Sequence, residues 1–115
     1  LYEAKRLEGD ILLEMGAGSA LHGDSESALA LLDEAGRAYA VSTEIARSDP
    51  SVHEGECSRW TQILEIRRRR GAPVVDAFNN AVSACDLSLF IDPDRASVHE
   101  SLSHLYWRWS LQSRA

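Results

Sequence analysis

The chain has 115 residues, 44% of them hydrophobic and 26% charged, which is typical of one water-soluble globular domain. Its net charge is −6, from 18 acidic and 12 basic residues. This balance argues against general nucleic-acid binding, in which lysine and arginine neutralise phosphates. The sequence contains no apolar run long enough to span a bilayer. We therefore expect a single domain over residues 1–115, in the cytoplasm, with no membrane partner. Because the first residue is Leu1, we expect a fragment of a longer chain.

Hydrophobic residues recur with the 3.6-residue period of an α-helix along the whole chain, and no stretch shows the period of a β-strand. The pattern and its breaks predict five helices, over residues 2–21, 25–47, 51–69, 74–90 and 96–109. Connections this short make successive helices antiparallel neighbours. The sequence therefore predicts an all-α fold of stacked helical hairpins.

Turn and cap signals separate the predicted helices. Gly23 suits a left-handed residue at a helix end, and Asp24 suits the cap of the next helix. Pro50 stops the second helix, and the spacing of Ser51 and Glu54 predicts a capping box for the third.

The first predicted helix carries an apolar stripe of Leu7, Ile11 and Met15 that we expect to pack against other helices. Gly18 continues this stripe, and Gly16 is the other glycine of this part of the helix. Glycine disfavours a helix interior, so these two residues predict either a close helix crossing or a helix end near Gly16.

Residues with reactive side chains do not form a recognisable catalytic or metal site. Cys57 and Cys85 lie in apolar helical stretches, and we expect two packed, free thiols of a reducing compartment. His99 and His104 are five residues apart, which places them ~140° apart around a helix, so they cannot easily converge on one metal ion. We expect no metal, no cofactor and no catalysis.

Residues 67–70 are four consecutive arginines at the end of the third predicted helix. They favour a solvated face that complements the helix dipole, or alternatively a clamp for a carboxylate, a phosphate or an acidic partner.

The helical hairpins resemble the tetratricopeptide repeat (TPR), a pair of antiparallel helices in a unit of 34 residues. The resemblance covers about two-thirds of the chain, and the second predicted helix is about three turns too long for it. The matching residues are Met15, Gly16, Gly23, Asp24, Ala28, Leu32, Ala35, Ala81, Cys85, Ser88, Pro93, Leu102 and Tyr106. In its long second helix, its arginine-rich third helix and the residues Ala84-Cys85-Asp86 and Ile91-Asp92-Pro93, the chain is also similar to divergent repeats that follow bacterial Ser/Thr protein kinases.

The TPR resemblance implies a right-handed superhelix that binds a protein or peptide in a groove lined by its first, third and fifth helices. The partner-binding residues that it implies are Ser97, Glu100, His104, Trp107 and Arg108. The implied function is a scaffold module of a larger signalling protein. The alternatives are a regulatory segment of a protein kinase and a small-ligand-binding helical bundle.

Trp107 has two interpretations. As an aromatic residue next to Arg108 it suits a binding hot spot. Alternatively, it packs on a further helix or on a second copy of the chain through the fifth helix.

Overall fold

The structure, a computed structural model, describes residues 2–113 and confirms the all-α fold. The helices are α1 (Tyr2–Leu21), α2 (Ser25–Ile45), α3 (Pro50–Arg69), α4 (Val75–Ile91) and α5 (Ala96–Ser113). The predicted and observed boundaries differ by four residues at the end of α5 and by two or fewer elsewhere. Within the described residues, no helix has both the length and the apolar character needed to cross a bilayer.

The helices form two hairpins and a fifth helix in two layers. α2 runs back along α1, and α4 runs back along α3. α3 also contacts both α1 and α5, whereas the backbones of α2 and α4 do not approach each other within the described residues. The odd-numbered helices therefore lie side by side in one layer, and α2 and α4 lie behind them.

Each of the two hairpins has a buried serine that joins the ends of its two helices. The hydroxyl of Ser42, on α2, donates to the backbone oxygen of Tyr2 over 2.8 Å. The hydroxyl of Ser88, 46 positions later on α4, donates to the backbone oxygen of Pro50 over 2.9 Å. Both serines are fully buried. Each one therefore holds the end of its hairpin's second helix against the start of the first.

The same spacing of 46 residues recurs at the start of α3 and α5. Residues 51–54 and 97–100 both read Ser-Val-His-Glu. His53 Nε2 hydrogen-bonds to the Arg47 oxygen over 2.9 Å, and His99 Nε2 to the Pro93 oxygen over 2.7 Å, in each case six residues back. The structural repeat of this chain is thus 46 residues, longer than the 34 of a TPR unit.

Tyr39 packs between α1 and α3 at the centre of the molecule. Its ring lies against Gly9 and Gly55, where an added Cβ would come within 2.6 Å and 2.5 Å of ring atoms. Its hydroxyl donates to Asp10 Oδ1 over 2.6 Å. Burial and this hydrogen bond raise the pKa of Tyr39 far above its ordinary value. One side chain from α2 thus joins three helices.

The buried face of α1 is not the stripe expected from its sequence. Gly9, Leu13 and Gly16 face the core, whereas Leu7, Ile11 and Met15 are 52–59% exposed. The prediction was wrong because the small residues allow α2 and its Tyr39 to approach closely, which side-chain hydropathy does not reveal.

Gly16 and Gly18 differ in their surroundings. An added Cβ at Gly16 would lie 3.2 Å from the Leu32 side chain, and one at Gly18 would meet nothing within 4 Å. The close crossing is therefore confirmed at Gly16 alone, and α1 continues past both residues to Leu21.

One predicted cap is confirmed and one is wrong. Asp24 caps α2 by accepting from the Ser27 N–H over 3.1 Å, after Gly23 with φ of 81°. The cap of α3 is not Ser51 but Asp49, which accepts from the Ser51 N–H over 2.9 Å. Pro50 then occupies the first turn, where proline is favoured, and Glu54 is left to pair with α5.

Cys57 and Cys85 form a disulfide between α3 and α4, with their Cα atoms 5.1 Å apart. The prediction of two free thiols was therefore wrong. The stretch of 28 positions that separates them contains the turn of a helical hairpin, and this fold brings the two buried side chains face to face.

Candidate functional site

A groove runs between α3 and α5 on the layer of odd-numbered helices. Its first part is a cavity of about 500 Å³. It is lined by Ser58, Thr61 and Gln62 from α3 and by Ser97, Glu100, Ser101 and His104 from α5. Three of the five residues predicted to bind a partner, Ser97, Glu100 and His104, therefore lie on one cavity.

A second cavity of about 280 Å³ continues the groove towards the end of α5. Thr61 and His104 line both cavities, so the two are continuous. Arg108, the fourth predicted residue, lines the second cavity with Glu65 and Arg69.

Trp107 is the predicted residue that the structure leaves outside both cavities. It is 59% exposed. Its ring centroid lies 6.1 Å from that of His104, which lines both cavities.

Polar contacts at the start of α5 hold it against α3. Arg95 donates to Glu54 Oε1 from Nη2 over 2.7 Å and from Nε over 3.0 Å. The Ser97 hydroxyl donates to Glu54 Oε2 over 2.6 Å. The hydrogen bonds to Glu54 raise the pKa of Arg95. These contacts set the spacing of α3 and α5 at one end of the groove.

Aromatic packing and an ion pair hold the other end of α5. The rings of Trp109 and Phe78 stack on each other with centroids 4.2 Å apart, and Tyr106 meets Phe78 edge-on. Arg108 forms an ion pair with Glu65 across the groove. Tyr106 and Trp109 of α5 thus pack on Phe78 of α4, and Val98 and Leu105 of α5 are buried.

The arginine run of residues 67–70 is partly paired with acidic groups of the same chain. Arg67 donates to both carboxylate oxygens of Asp76 over 3.1 Å, which lowers the pKa of Asp76. Arg68 donates to Glu65 over 2.8 Å. Arg69 lines the second cavity. Two of the four arginines therefore secure the end of α3, and one reaches the groove.

The histidines and cysteines do not assemble into a metal centre. No three His, Cys, Asp or Glu residues converge in the part of the chain that the structure describes. His53 is buried against a backbone oxygen, and Cys57 is in the disulfide.

Comparison of the chain with protein-family models, with curated proteins and with solved structures finds no match. The groove and the contacts that shape it are therefore the basis for a functional conclusion.

Proposed function

We propose that this chain is a protein-interaction module that holds a peptide segment of its partner in the α3–α5 groove. One observation carries the proposal: Ser97, Glu100, His104 and Arg108 line one continuous groove between two helices of the same layer. Its two parts, of about 500 and 280 Å³, are large enough together for several side chains of an extended peptide.

The arrangement of the helices supports a TPR-like interpretation of this module. In the TPR pattern, the first helix of each hairpin lines the ligand groove, and here α3 and α5 do so. The repeat of 46 residues argues for a longer unit than a TPR, so the likeness lies in the stacking of hairpins. A scaffold role within a larger signalling protein follows from the resemblance and remains part of the proposal.

The state of the two cysteines bears on the cellular compartment that we infer. The cytoplasm was expected partly because of two free thiols. The disulfide removes that argument, because disulfides persist in oxidising compartments and are rare in the cytosol.

Selection from a random peptide library tests the proposed function. We expect the selected peptides to bind the wild-type chain, and His104→Ala and Trp107→Ala each to weaken that binding about tenfold, as loss of a hot-spot side chain does. Because both side chains are exposed, the thermal midpoint should not change. Affinity measured by titration calorimetry, together with thermal unfolding, provides both readouts.

Phe90→Ala is the matched control, since Phe90 is an aromatic residue on α4 that is 85% exposed and lies outside the groove. It should leave binding unchanged. Failure to select any peptide, or binding that responds to Phe90→Ala and not to His104→Ala or Trp107→Ala, would contradict the proposed function.

A further inference from the structure

Three hydroxyl groups of the groove already donate hydrogen bonds to other groups of the protein. Thr61 donates to the Cys57 oxygen over 2.8 Å, and Ser101 donates to the Ser97 oxygen over 3.0 Å. Ser97 itself donates to Glu54. A hydroxyl has one proton and two lone pairs. These three groups can therefore only accept further hydrogen bonds.

Two further acceptors of the groove have no donor. Gln62 Oε1 is buried, and among the described residues nothing donates to it. The Glu100 carboxylate, which can only accept, makes no hydrogen bond or ion pair with any residue that the structure describes. Because Gln62 Oε1 is shielded from the cavity, a ligand that brings donors gains mainly by satisfying the Glu100 carboxylate.

The remaining polar groups of the first cavity do not remove this excess of acceptors over donors. The Ser58 hydroxyl and the His104 imidazole can each donate or accept, and the Gln62 amide nitrogen can donate. Glu100 is the only Asp, Glu, Lys or Arg residue among those lining the first cavity. The first cavity is therefore rich in acceptors and negatively charged.

We propose that the first cavity binds an arginine side chain of the partner peptide. A guanidinium group has five donors, carries a positive charge and has no acceptor, which complements the Glu100 carboxylate and the three hydroxyl groups that can only accept. Its methylene stem can lie along the walls of the cavity, as the stems of long basic side chains do. This inference rests on the proposed function, because it names the side chain that the groove recognises.

The second cavity makes an acidic peptide the rival ligand. Arg69 and Arg108 line it, but Arg108 is already paired with Glu65, which also accepts from Arg68. The free carboxylate of Glu100 lies in the first cavity, so the observations favour the cation.

Titration of the full chain with three capped peptides tests this inference. The peptides are identical except for a central arginine, citrulline or glutamate, and citrulline keeps the shape of arginine without its charge. Against the wild type, we expect the arginine peptide to bind about tenfold more tightly than the citrulline peptide. Glu100→Gln should reduce that ratio about three- to fivefold, as loss of one partly exposed charge pair does.

Glu34→Gln is the control, because it changes the net charge equally at an exposed position on α2 and should leave the ratio unchanged. Equal or tighter binding of the citrulline or glutamate peptide, or a ratio unaffected by Glu100→Gln, would overturn the inference. Library-selected peptides that bind the groove without a basic residue would also overturn it and leave the proposed function intact.

Discussion

Tyr39 shows how a single residue sets the spacing of three helices. Its ring fills the space that the missing side chains of Gly9 and Gly55 leave on α1 and α3, and its hydroxyl donates a hydrogen bond to Asp10. The glycines weaken their own helices by up to about 1 kcal/mol each. The packing of a fully buried aromatic residue offsets that loss.

The glycines of α1 provide a test at this scale. Gly9→Ala should destabilise the fold by about 1–3 kcal/mol, because the new methyl group would overlap the Tyr39 ring. Gly18→Ala, on the same helix with open space around it, should instead stabilise it by about 0.5–1 kcal/mol through helix propensity. Urea unfolding measures both. The same sign for both variants would mean that Tyr39 does not pack against Gly9.

At the scale of whole helices, the disulfide ties the second hairpin together. Cys57 and Cys85 are 28 positions apart, and a cross-link closing a loop of that length stabilises a protein by about 3–4 kcal/mol in the chain-entropy description. The first hairpin has no covalent link. Its two helices are joined instead by the packing of Tyr39 against Gly9.

Reduction of the disulfide should therefore lower the unfolding free energy by up to that amount without changing the helical content. Thermal unfolding followed by circular dichroism, with and without a reductant, measures the change. The double variant Cys57→Ala/Cys85→Ala should not respond to the reductant. A wild-type midpoint that is insensitive to reductant, with both cysteines alkylated under native conditions, would show that the bridge does not form.

The helices were predictable from the sequence because their boundaries depend on local chemistry. Hydrophobic periodicity, Gly23 and Pro50 act within a few residues, and the cap at Asp24 follows from the same rules. The buried face of α1, the bridge between Cys57 and Cys85 and the pairing of Glu54 with Arg95 depend on residues far apart in the chain. A local pattern carries no signal for those contacts.

The repeat of Ser-Val-His-Glu was a signal that sequence reasoning could have used. Comparing residues 51–54 with residues 97–100 shows the spacing of 46 residues directly. It was missed because the chain was compared with a unit of 34 residues. The α5 groove residues Ser97, Glu100 and His104 were nevertheless predicted, because the resemblance to a TPR unit implies that the exposed face of α5 lines a groove.

At the scale of the whole molecule, the layered stacking leaves two surfaces that a partner could use. One is the polar groove between α3 and α5, and the other is the exposed apolar stripe of Leu7, Ile11 and Met15 on α1. The groove is built from side chains held by Glu54 and Glu65 at its two ends, and it contains acceptors that lack donors. These features support our proposal that the groove binds the partner.

Nuclear magnetic resonance of the 12.7 kDa chain titrated with the arginine peptide tests that claim most directly. We predict that the amide signals that shift belong to the groove segments of α3 and α5, around Ser58, Gln62, Glu100 and His104, and that those of α1 stay in place. Shifts concentrated around Leu7, Ile11 and Met15, with the groove signals unchanged, would contradict the account.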